Sequence, residues 1–233
     1  MEISRRRLLG ALAVGGASLA IPRSMAPQAA YAQALPPQGG LIPGFAEMGG
    51  AAPLDLARTA TGQARFASVL LPQARAALDR HGNALANRDL IGLVDFSAPS
   101  KAARFYIVDM ASETVVSSHL VAHGRGSDPA NSGWVERLSN RPGSNASCEG
   151  AFLTADAYYG QHGRSRRLIG LDPENDMAES RAIVIHAADY VSSAMAATQG
   201  RVGRSQGCFA VSHSEIDRVM EQLGPGHLLY AVK

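Results

Sequence analysis

No Cys-x-x-Cys pair and no His-Glu-x-x-His motif occurs among the 233 residues. The patterns that most often announce zinc are missing, so no metal site is expected. Nor is there a nucleotide fingerprint: Gly124-Arg125-Gly126 lacks the third glycine at the required spacing and a helix opening there. No internal repeat is found. Beyond the first thirty-odd residues, no apolar run is long enough to span a bilayer. Charged residues make up only 18% and hydrophobic ones 46%, a globular rather than a disordered composition. A chain of this length suits one domain with extensions and can bury a core without disulfide staples.

The N-terminus reads as an export signal. Arg5-Arg6-Arg7 precedes a short, glycine-interrupted apolar stretch, Leu8 to Ile21, and small residues follow at cleavage spacing in Ala30-Tyr31-Ala32 and Ala32-Gln33-Ala34. Residues 1–34 resemble a twin-arginine signal peptide. The expected location is therefore exported, periplasmic or cell-wall associated, with no stable membrane span after signal cleavage. The segment holds four arginines and one glutamate, so the remainder carries 18 basic and 19 acidic residues and a net charge of −1. The apparent basicity belongs to the signal, and no nucleic-acid partner is expected.

Residues 35–61, rich in Pro, Gly and Ala, read as a flexible linker. Residues 62–88 read as a helical extension, one or two helices interrupted at Pro72, with His81 a solvated helix-end residue. From Leu90 short β-rich runs alternate with turns: Leu90 to Phe96, Arg104 to Asp109 and Thr114 to Ala122. They suggest a meandering antiparallel sheet. His119 and His123, four apart, would share a strand face and read as structural. Residues 124–147 form a long loop of the kind often found over sites. Tyr158 to Leu171 reads as an irregular basic stretch. Arg181 to His186 is the most convincing buried strand, and a short helical segment spans Val191 to Ala197. Ser212 and Glu215 have capping-box spacing ahead of a helix with Ile216, Val219, Met220 and Leu223.

Two cysteines are present, Cys148 and Cys208. In an oxidising compartment a pair first suggests a disulfide. A second reading starts from His186, at the end of a buried strand, and Gly203-Arg204-Ser205-Gln206-Gly207-Cys208, which sets a cysteine directly after a glycine. A glycine there permits unusual backbone angles, and its neighbouring amides can face a developing oxyanion. An imidazole can take the thiol proton and release the reactive thiolate. Spacing alone leaves an inert buried cysteine, a disulfide and a nucleophile all open.

The segment Gly203 to Cys208 resembles the signature of the murein L,D-transpeptidase (YkuD-like) catalytic domain, in the branch with Gly-Arg-Ser-x-Gly-Cys. Ala182 to Val191, Tyr158-Tyr159-Gly160 and Leu120 to Gly124 are similar to the same branch, and the likeness covers roughly Leu90 to Val232. It implies a catalytic domain over 89–233 with a mainly β (α+β) fold: an L,D-transpeptidase-like β-sandwich or sheet with a few peripheral helices. It further implies a cysteine acyltransferase that forms a thioacyl-enzyme with a peptidoglycan stem peptide and passes the acyl group to an amine or to water, the last being L,D-carboxypeptidase activity.

By position, the resemblance makes Cys208 the nucleophile and His186 the base, with the Ala187 carbonyl orienting the imidazole. The Gly207 and Cys208 amides are oxyanion candidates. Ser205 shapes the loop, and Arg204 and Gln206 contact substrate, Arg204 through a carboxylate. No cofactor is implied, and a monomer is expected. The chain departs from the wider pattern at Gln206, where His or Arg is frequent, at Phe209-Ala210, and at Ala187, where Gly or Ser is usual. Those departures bear on acceptor choice. Ser147 to Phe152 resembles a family segment that borders the site, which puts Cys148 near Cys208.

Papain-type and NlpC-type peptidases place Cys before His, the reverse of the order here. Sortases need an arginine on a strand after the cysteine, whereas only Arg218 follows Cys208. The rival from another class is a non-catalytic cell-wall-binding domain with a Cys148–Cys208 disulfide.

Overall fold

The computed structural model describes residues 54–55 and 59–233. The export-signal reading of residues 1–34 lies outside them, as does most of the linker stretch. Among the described residues no helix is long and apolar enough to cross a membrane.

Nine strands form one mixed sheet: β1 (Leu54–Asp55), β2 (Leu90–Asp95), β3 (Ala102–Asp109), β4 (Thr114–Leu120), β5 (Gly150–Gly160), β6 (Gly163–Gly170), β7 (Val184–Ala187), β8 (Phe209–Val211) and β9 (Leu228–Val232). The order is β1-β3-β2-β9-β5-β6-β7-β8, with β4 against β3. The β2/β9, β7/β8 and β1/β3 pairs are parallel. The fold is the mainly β α+β fold expected from the sequence, as a mixed sheet rather than a purely antiparallel meander.

The central strands are buried on both faces, so alternate residues enter different cores. Along β3, Phe105 and Ile107 join Phe152, Ile185 and Phe209 in one cluster, capped by Ile216, Val219 and Met220 of α4 (Ile216–Gln222). Tyr106 and Val108 face the other way, into a cluster with Phe66, Leu70, Leu71 and Leu78. Those four come from a π-helical turn at Phe66–Leu70 and from α2 (Leu71–Arg80), which follow α1 (Ala60–Arg65). The helix is continuous, and Pro72 sits in the first turn of α2, where its missing N–H does least harm. The wider turn directly precedes it, with Leu71 N–H reaching back to the Phe66 carbonyl. A third cluster, including Leu120, Val191, Ala196 and Val202, lies under α3 (Ser193–Gln199).

Several local expectations change. The stretch read as irregular, Tyr158 to Leu171, is the β5–β6 hairpin, with Gln161 and His162 as its two-residue turn. Strand β4 ends at Leu120, so His123 lies beyond it and shares no strand face with His119. The capping box does not form. Glu215 itself is the N-cap residue of α4, and its carboxylate binds His119 Nδ1. His81 is not simply solvated: its Nε2 contacts Asp172 Oδ1 at 2.8 Å.

Candidate active site

Strand β7 delivers the histidine and β8 the cysteine. The two strands pair in parallel with Ile185 opposite Phe209 and His186 opposite Ala210. Ile185 and Phe209 are fully buried in the core cluster on one face. Alternation turns His186 to the other face together with Ala210, and Cys208 directly precedes β8. His186 and Cys208 both line one cavity of about 370 Å³.

His186 is only 2% exposed. Its Nδ1–H donates to the Ala187 carbonyl at 2.8 Å, which leaves Nε2 with the lone pair a general base needs. The His162 ring stacks against it, centroids 4.3 Å apart and planes 24° apart. Burial lowers the His186 pKa. The Ala187 carbonyl partly offsets this, while His162 and His213 push in the same direction as burial. The ring is therefore neutral at neutral pH.

The Cys208 thiol donates to the Ala182 carbonyl at 3.5 Å. Burial raises its pKa, and the backbone amides of Val184 and of Cys208 itself, with the Arg181 guanidinium, pull it back down. Both shifts favour a neutral thiol and a neutral imidazole over a standing ion pair. Ala182 holds its carbonyl there from a left-handed backbone, φ +53°, a strained state for a residue with a Cβ.

The loop before Cys208 is fixed by hydroxyls. Ser205 Oγ donates to the Cys208 carbonyl at 2.7 Å and accepts the Gly207 N–H at 3.1 Å. Ser147 Oγ accepts the Gly124 N–H at 3.0 Å and donates to the Gly207 carbonyl at 3.1 Å. Gly207 has φ +122°, and a Cβ there would lie 2.7 Å from the Ala146 carbonyl oxygen, so only glycine fits. The Gly207 N–H, expected to face an oxyanion, is thus held by Ser205.

Arg204, expected to contact substrate, lines the cavity, and its Nη1 binds the backbone carbonyls of Asp128 and Pro129 and so braces the 124–133 loop. Gln206 is exposed on the cavity wall. Cys148 is a buried free thiol, raised to about 11 by burial, and Cys208 is free as well, so the Cys148–Cys208 disulfide of the rival reading is not formed.

Sequence reasoning missed His162, Arg125 and Tyr190, all on the cavity. His162 was findable: Gly160-Gln161-His162-Gly163 is a turn of two residues between glycines. His119 and His123 take no part. His119 is bound to Glu215, and His123 lies between Arg104 Nη2 at 2.8 Å and Asp128 Oδ2 at 3.2 Å. Among the described residues no group of three or more His, Cys, Asp or Glu is placed to hold a metal ion.

The model of the L,D-transpeptidase catalytic domain family matches residues 65–232. No curated protein matches the chain. Among solved structures, an L,D-transpeptidase from Mycobacterium smegmatis is 12% identical with a TM-score of 0.39, the match covering 62% of this chain and 59% of that one. One from Xylanimonas cellulosilytica is 14% identical with a TM-score of 0.37, over 69% and 70% of the two chains. One from Stackebrandtia nassauensis is 12% identical with a TM-score of 0.40, over 74% and 64%. The matched region spans about three fifths of the length of the first of these.

Proposed function

As the chain belongs to the L,D-transpeptidase catalytic domain family, we propose that it is an exported, peptidoglycan-modifying cysteine acyltransferase with Cys208 as nucleophile and His186 as base. The observation that carries this reading is His186, its Nδ1 fixed on the Ala187 carbonyl, in one cavity with the Cys208 thiol. The substrate is the stem peptide of peptidoglycan, and the protein acts as a monomer.

The thiol rotates from the Ala182 carbonyl towards Nε2 of His186, which takes its proton as the sulfur attacks the donor amide carbonyl. The tetrahedral oxyanion forms beside the Cys208 amide, where a fixed donor lowers the barrier. The imidazolium returns the proton to the leaving nitrogen, the C–N bond breaks, and a thioester on Cys208 remains. An acceptor amine then attacks. His186 takes its proton and passes it to the departing thiolate. With water as acceptor the same steps give L,D-carboxypeptidation. Ser205 and Ser147 hold the loop, while Gln206 lies on the substrate wall.

The test is intact-mass spectrometry of the protein with a tetrapeptide donor or a carbapenem, a family inhibitor class. Wild type should gain the acyl mass, and Cys208→Ala should not.

A further inference from the structure

The cavity around Cys208 is lined by three arginines, Arg125, Arg181 and Arg204, and by no carboxylate. Two of the three are engaged. Arg204 is held by the carbonyls of Asp128 and Pro129. Arg181 donates to the carbonyls of Ser139 and Ala146 and to Ser144 Oγ. The Arg125 guanidinium is exposed, and among the described residues it makes no hydrogen bond or ion pair.

The backbone of Arg125 is nonetheless tightly placed. Gly124 bridges to Ser205, the Ser205 N–H donates to the His123 carbonyl at 2.9 Å, and the Arg125 N–H donates to the Ser205 carbonyl at 2.8 Å. Those bonds pin the Arg125 backbone to Ser205, three residues before Cys208, while leaving the five guanidinium N–H donors of Arg125 unused. The adjoining chamber, across His162 and Tyr190, has the opposite chemistry. Its carboxylates Asp189 and Asp217 are paired with His213 at 3.0 Å and Arg164 at 2.9 Å. Unbalanced positive charge is thus confined to the cysteine side.

We infer that Arg125 is a specificity residue that binds a carboxylate of the acyl donor, the C-terminal carboxylate of the amino acid that leaves. This assignment rests on the acyltransferase reading and deepens it. A guanidinium matches a carboxylate through two parallel N–H bonds, a match that a lysine ammonium cannot reproduce. The leaving residue's carboxylate is attached next to the scissile nitrogen, so binding it also presents the amide carbonyl to the sulfur.

Two measurements on the full chain test this. The first compares alkylation of Cys208 by iodoacetate and by iodoacetamide, read by mass mapping. Any change in thiol acidity cancels in the ratio of the two rates, which isolates attraction for the carboxylate. Arg125→Gln should lower the iodoacetate-to-iodoacetamide ratio several-fold relative to wild type, and Arg125→Lys should restore part of it. The second compares donors ending in a free carboxylate or an amide. Wild type should favour the acid by about tenfold, the size of one charge-assisted contact, and Arg125→Gln should erase most of that preference, chiefly through KM. A lowered alkylation ratio with no turnover of either donor supports anion selection at Arg125 and counts against the acyltransferase reading instead. An unchanged ratio in the alkylation experiment overturns the assignment of Arg125.

Discussion

His162 lies face to face with His186, the two rings 4.3 Å apart at their centroids, although one is at an exposed hairpin tip and the other is buried beneath it. The stack packs His162 against the His186 ring, the proposed base, and charge on His162 disfavours charge on His186. Burial is the larger influence on His186, so the acid limb of the acylation rate should lie below the ordinary histidine pKa of about 6.5. Loss of His162 should move that limb to higher pH by a fraction of a unit. His162→Phe should keep the plateau rate, because the ring remains, whereas His162→Ala should lower it several-fold. Identical pH–rate profiles for all three proteins would remove His162 from the account.

The Ser205–Gly207 turn should be as sensitive as the proposed Cys208–His186 pair. Ser205→Ala leaves the Gly207 N–H and the Cys208 carbonyl without their partner, at about 1–3 kcal/mol for each buried group. Gly207→Ala forces both a strained backbone and a contact with the Ala146 carbonyl. Each should cut the acylation rate at least tenfold. Gly143→Ala is the control: φ is +75° there, yet open space surrounds the site, so stability alone should fall, by about 1 kcal/mol. Equal effects at Gly207 and Gly143 would show that crowding at Gly207 is immaterial.

Stability should weaken in mild acid because of His123. Buried beside Arg104, it is held neutral with its pKa lowered to about 4. Unfolded histidine titrates near 6.5. Between these values the unfolded chain binds more protons than the folded one, so stability falls as pH drops from about 6.5 to about 4 and levels below that. His123→Gln should flatten part of the slope in urea melts run across this range. It should not abolish it, since burial lowers His119 and His186 as well. The same variant should lose about 1–3 kcal/mol at pH 7, because a flexible amide replaces the buried ring held between Arg104 and Asp128. A slope identical to wild type would contradict this assignment.

How far these features could be read from sequence depends on how local their causes are. The buried strand expected over Arg181 to His186, which forms as β7 at Val184–Ala187, and the Gly207-Cys208 turn were legible, because hydrophobic runs and glycine placement are local signals. The β5–β6 hairpin was not. Arg, Tyr and Gly dominate Tyr158 to Leu168, and pairing with β7 and β9 stabilises it more than its own composition does. Ser212 and Glu215 had the spacing of a cap, but His119, 96 residues away, holds the Glu215 carboxylate. Arg204 and Arg125 differ little by sequence. Only the backbone carbonyls of the facing loop decide which guanidinium is engaged.

Residues 62–88 should behave as part of the folded sheet, because Phe66, Leu70, Leu71 and Leu78 share one cluster with Ile91, Leu93 and Tyr106. Leu70→Ala should cost about 2–5 kcal/mol and lower the midpoint of a single unfolding transition. A separate early transition for the helices would show that they fold apart from the sheet.

The central claim is that Cys208 carries the acyl group and Cys148 does not. The most direct measurement is intact-mass spectrometry of wild type, Cys208→Ala and Cys148→Ala after incubation with a tetrapeptide donor. Wild type and Cys148→Ala should each gain one acyl group with loss of the terminal residue, and Cys208→Ala should stay at its unmodified mass. An acylated Cys208→Ala protein would contradict the account.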